Sequence, residues 1–76
     1  MNKDDAVELQ RLSIRAMETL SELLIVSKRC LSGDEYELKR RAIGSIIGKI
    51  QIDLLEPLYA NHPELDDLKD NNHKNE

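Results

Sequence analysis

The apolar residues of the first half of the chain recur at helical spacing. Taken at 100° per residue, Leu9, Leu12, Ala16, Met17, Leu20, Leu23, Leu24, Cys30 and Leu31 fall within one sector about 140° wide. Arg11, Arg15, Glu18, Glu22 and Arg29 fall opposite it. The pattern predicts one amphipathic helix over about 4–31. Asp5 followed by Glu8 reads as a capping box at its start. Lys28 and Arg29 suit the negative end of its dipole.

The stretch LSGDEYE breaks the pattern. Gly33 accommodates a positive φ beyond the first helix, and Ser32 with Glu35 offers a second capping box. A second helix is predicted over about 34–60, with an apolar seam of Tyr36, Ile43, Ile46, Ile47, Ile50, Leu54 and Leu58. Positions 36, 43 and 50, and positions 47 and 54, keep a seven-residue repeat. Pro57 removes a backbone donor and is expected to kink or stop this helix. Pro63 and Glu64 then suit the first turn of a short third helix over about 63–68. The polar segment 69–76 lacks apolar anchors and reads as a disordered tail. A short link between two long helices makes them antiparallel neighbours. The expected fold is therefore all-α: one domain over 1–68, an antiparallel helical hairpin with a short C-terminal helix.

Each helix carries a second apolar set outside its seam. On the first it is Val7, Ile14 and Ile25; on the second it is Ile52, Leu55 and Tyr59, on the side that also holds Gly44 and Gly48. Left open, such sets form sticky patches. Each glycine costs about 1 kcal/mol against alanine inside a helix. G-x-x-x-G spacing clears a groove for a facing helix, a logic best known in membranes but not confined to them. These eight residues (Gly44, Gly48, Ile52, Leu55, Tyr59, Val7, Ile14 and Ile25) are the expected dimer or partner interface. The hairpin is expected to dimerise into a four-helix-type bundle.

Size and composition point the same way. A chain of 76 residues supports one small core and usually needs a staple. A single cysteine excludes an internal disulfide, and two histidines with it give no zinc-ligand spacing. Oligomerisation is the staple that remains. The longest uncharged run, Ala42 to Gly48, is far short of the ~20 residues of a membrane span. With no apolar leader near Met1 and one lone thiol, the expected location is the cytoplasm.

Charged residues make up 34% of the chain, but the signs are mixed and the net charge is −4. That balance argues against a protein built mainly to hold nucleic acid. The one basic cluster is Lys39, Arg40 and Arg41, which with Arg11 and Arg15 supports an alternative reading as a small nucleic-acid-binding regulator. Glu35 and Glu37 are placed to neutralise part of it. Aromatic residues are scarce, which weakens readings based on ligand pockets or base stacking.

Candidate chemistry is thin. Asp66, Asp67 and Asp70 match D-D-x-x-D, which resembles the magnesium–diphosphate motif of isoprenoid synthases. Those enzymes enclose substrate within many helices, and this chain has three at most, so the triplet reads as a solvated acidic face. Glu18 and Glu22 point away from the leucine seam and lack the E-x-x-H partner of metal-binding bundles. Cys30 lies at the edge of the seam and is expected to be buried; His62 reads as a cap or loop residue. No nucleophile has a base and orienting group to work with. The expectation is a non-enzymatic adaptor, regulator or inhibitor, with no cofactor or metal, that meets a second copy or another protein through a helical face.

Overall fold

The computed structural model describes residues 1–66. Helix α1 runs Lys3–Cys30. Its N-cap is Asn2, whose Oδ1 accepts the Asp5 N–H at 2.8 Å, so the capping role read at Asp5 belongs three residues earlier. Asp4 and Asp5 lie in the first turn and Lys28 and Arg29 in the last, each favourable to the dipole. The Leu31 N–H bonds the Ser27 carbonyl and closes the helix.

After the break at Leu31 and Ser32, helix α2 runs Gly33–Lys49. Gly33 takes φ +60°, a left-handed conformation that glycine adopts without strain. Ser32 occupies the N-cap but makes no side-chain cap bond, so of the two devices read in this segment the glycine is the one used.

The second arm continues without a gap but changes pitch. Ile50–Leu55 forms a π-helical turn, followed by α3 over Glu56–Asn61 and a 3₁₀ turn over Pro63–Leu65. Within the π turn the Glu56 N–H reaches five residues back to the Gln51 carbonyl. Pro57 accounts for the location. It has no N–H to offer, and its ring crowds the carbonyl four residues earlier, so a wider turn ahead of it relieves an α-helical conflict. The widening inserts one extra residue and shifts the register. Leu54, read as a seam residue, is 54% exposed, whereas Leu55, read as part of the outer set, is 2% exposed. Tyr59 is also drawn inward and packs against the core. These three placements, at Leu54, Leu55 and Tyr59, correct the sequence reading, and the π turn explains them. Of the third helix expected over 63–68, the described part is the short 3₁₀ turn; Leu68 and the expected tail lie outside the described residues.

The core sits at the open end of the hairpin. Ala6 is fully buried beneath Leu55 and Leu58, with Met17, Tyr59 and Leu65 packed around them. An alanine at this point lets the backbone of α1 lie close under two leucines. The Gln10 Nε2 donates to the Leu65 carbonyl at 2.6 Å and to the Tyr59 hydroxyl at 3.1 Å, which ties the 3₁₀ turn back to α1.

The inward seam of α1 is Ala6, Gln10, Ser13, Met17, Leu20, Leu24, Ser27 and Leu31, all buried or half-buried. The spacing is heptad-like, but the seam is rotated about 45° from the centre of the predicted sector, at 100° per residue. Leu9, Leu12 and Leu23, expected inside, are about half exposed at 50%, 48% and 50%, and Cys30, expected buried, is exposed. Ser27 is tolerated because its hydroxyl donates to the Leu23 carbonyl at 2.8 Å. The small residues Ala6, Ser13 and Ser27 narrow this side of α1 so that the second arm fits against it. The result is one layer of helices: the smallest extent is 16 Å, against the 10–12 Å diameter of a single helix.

The register shift has a direct check. Leu55→Ala should cost about 2–5 kcal/mol in denaturant unfolding, the range for a buried leucine, and Leu54→Ala should cost less. A greater loss at Leu54 would restore the uninterrupted heptad.

Candidate functional site

A flat hairpin has two broad faces. Two antiparallel helices related by an approximate two-fold present equivalent flanks on the same side, so helical angles sort the exposed residues between those faces. On one side α1 shows Leu9, Leu12, Leu23 and Val26, and the second arm shows Ile46 and Leu54; all six are exposed. On the other side α1 shows Val7, Ile14 and Ile25, and the second arm shows Gly44, Gly48 and Ile52. We call them the leucine face and the glycine face.

Of the eight residues read as an interface, the structure gathers six on the glycine face. Val7, Ile14, Ile25 and Ile52 are exposed there at 41%, 39%, 66% and 60%. A Cβ placed on Gly44 or Gly48 meets nothing within 4 Å, so no part of the hairpin makes the close approach that the glycine spacing suggested. Leu55 and Tyr59 are taken up by the chain's own core and leave this set. A shallow depression of about 470 Å³ runs along α1, lined by Val7, Gln10, Arg11, Ile14, Arg15 and Glu18.

Helical periodicity alone assigns Leu9, Leu12, Leu23, Ile46 and Leu54 of the leucine face to the hairpin core and places Val26 in neither apolar set. The available signal was a second heptad series in α1, Leu9, Leu12, Ala16, Thr19, Leu23, Val26 and Cys30, running beside the first. Helices of a four-helix bundle need two adjacent seams, one for each neighbour.

The basic residues do not form one patch. Lys39, Arg40 and Arg41 are consecutive in a helix and spread over about 200° of its circumference. Glu37 holds the Arg40 guanidinium through its Nε at 2.7 Å and its Nη2 at 2.7 Å. Arg11 is likewise paired with Glu8, on the outward side of α1. Hydrogen bonding to Arg11, then its charge, lowers the Glu8 carboxyl below its ordinary range and raises Arg11. The Arg40 hydrogen bond does the same to Glu37, and Glu37 raises Arg40. Both pairs lie on the surface, where ion pairs contribute little. Lys49 meets Asp53 at 3.4 Å across the start of the π turn.

Among the described residues no group of His, Cys, Asp or Glu is arranged to hold a metal ion. His62 Nδ1 lies 3.6 Å from Glu64 Oε2, beside the final turn. Of the acidic triplet, Asp66 is described and Asp67 and Asp70 are not. No helix among the described residues is long and apolar enough to cross a membrane. No protein family, curated protein or solved structure matches the chain.

Two outcomes follow from this geometry. Gly44→Ala and Gly48→Ala should each stabilise the hairpin by about 1 kcal/mol through helix propensity, because the added methyl has room. Thermal unfolding measures this, and a loss of stability would reveal another chain packed on the glycines. In a carboxyl titration followed by NMR, Glu8 and Glu37 should protonate below the pH at which glutamates of the unfolded chain do. Their pairs therefore favour the folded state above the unfolded-state glutamate pKa, and that contribution fades as pH falls through the depressed values.

Proposed function

We propose that the chain is a small non-enzymatic interaction module, an adaptor, regulator or inhibitor, that acts through a helical face of a homodimeric four-helix bundle. The observation that carries this reading is the imbalance between core and surface. Among the described residues Ala6, Ile43, Leu55 and Leu58 are the buried apolar ones, while Val7, Leu9, Leu12, Ile14, Leu23 and Ile25 stand exposed on α1 alone. A single helical layer hides only the strip each helix shows the other, and burying a large aliphatic side chain is worth roughly 1.5–3 kcal/mol. A second copy that covers one face turns the layer into a bundle with an interior. The other face stays available for a different protein, in the manner of helix-in-groove recognition.

The scattered and partly neutralised arginines give the nucleic-acid reading no comparable support. The test is light scattering after size exclusion, at micromolar concentration and in moderate salt. A mass near twice 8.7 kDa is expected. A mass near 8.7 kDa would overturn the proposal, and nucleic acid retained at low salt and shed as salt rises would move the reading to the alternative.

A further inference from the structure

The geometry points to the leucine face as the surface on which a second copy docks, with α1 packed antiparallel against its counterpart. This deepens the homodimer proposal and rests on it. The first ground is the outer seam itself. Leu9, Leu12, Ala16, Thr19, Leu23, Val26 and Cys30 are all exposed, repeat with heptad spacing, and run about 32 Å along the helix at 1.5 Å per residue. No charge interrupts them. Ile46 and Leu54 stand on the same side of the hairpin, where a face-to-face partner covers them too.

The second ground is charge complementarity, and it selects the occupant. Along the edge of this seam, one residue before each of Leu9, Ala16, Leu23 and Cys30, lie Glu8, Arg15, Glu22 and Arg29. The column alternates in sign at seven-residue intervals. In an antiparallel pair such a column meets its own copy in reverse order. Glu8 then faces Arg29 of the other copy and Arg15 faces Glu22, and both pairings centre on one two-fold axis between Glu18 and Thr19. The same axis lies near the middle of the apolar seam. A parallel pair does not bring this column against itself, so the alternation favours the antiparallel arrangement. Arg15, Glu22 and Arg29 are exposed and enter no ion pair among the described residues, which leaves them free for this role. A two-fold interface of this kind closes on itself and stops at two copies. It leaves Gly44, Gly48, Ile14 and Ile52 uncovered.

The experiment uses the full chain and its single native cysteine. A spin label on Cys30 should report an intermolecular distance of roughly 35 Å, from 1.5 Å per residue on either side of the axis. A label at Thr19→Cys, in a Cys30→Ser background, should report less than about 15 Å, since helices pack 8–10 Å apart. Short distances at both sites would mean parallel pairing and overturn the inference. A dimeric mass with a long distance at Thr19 would overturn it as well, by placing self-association on another face, while the homodimer proposal stands. A monomer would end both. Charge exchange gives an independent reading. Glu22→Arg, or Arg15→Glu, should weaken dimerisation about ten-fold by setting like charges together at two symmetric places, and the double exchange should restore most of the loss. Equal affinity in all three variants would remove the pairing.

Discussion

Ala6 lies beneath Leu55 and Leu58, and the form of the hairpin follows from that contact. For two leucines one turn apart to rest on an alanine of the opposite helix, the second arm must present positions 55 and 58 together on its inner side. An uninterrupted α-helix in register with Ile43, Ile47 and Ile50 presents 54 instead. The π turn at Ile50–Leu55 supplies the missing rotation, and Pro57, which disfavours a regular helix just ahead of it, fixes where the rotation occurs. Local backbone chemistry thus decides which leucine is core and which is surface.

The same contact sets the orientation of α1. With Ala6 as the floor, the positions one and two turns on are Gln10 and Ser13, and the seam continues through Met17, Leu20, Leu24 and Ser27. Three polar residues therefore lie between the helices while Leu9, Leu12 and Leu23 face out. That arrangement is inefficient for a monomer and reasonable for half of a larger assembly. Gln10 finds partners across the hairpin and Ser27 finds one on its own helix, so their inward placement leaves no buried donor unmet.

Much of the architecture could be read in the residues. Helical spacing, the Leu31–Gly33 break and the two long arms were plain because apolar period and turn chemistry agreed there. The rotation of α1 was not, since Ser13, Ser27 and Gln10 look like surface residues in the sequence; only the folded chain shows Ser27 bonded to its own helix and Gln10 bonded across the hairpin. A single 140° sector that holds Leu9, Leu12 and Leu23 together with Met17, Leu20 and Leu24 averages two seams into one. The interchange of Leu54 and Leu55 escaped periodicity as well, because an α-helical wheel assumes a constant 100° per residue; Pro57 was the visible hint. The glycine spacing suggested a close approach by a facing helix, and nothing in the hairpin itself approaches Gly44 or Gly48. Of the residues read as an interface, Val7, Ile14, Ile25 and Ile52 are exposed, as periodicity placed them, while Leu9, Leu12, Leu23, Ile46 and Leu54, exposed as well, sit within the sectors that periodicity assigns to the core.

The bond from Gln10 to the Leu65 carbonyl has a practical corollary for anyone handling the protein. It folds the end of the described chain back beside the first turns of α1, and Met1, Asn61 and His62 line one shallow hollow. Both ends of the described chain thus lie at a single pole, with the Leu31–Ser32 bend at the far one. A fluorophore or surface tether attached at Met1 or at Asn61 would therefore sit at that pole and leave the bend, and the middle of both broad faces, clear.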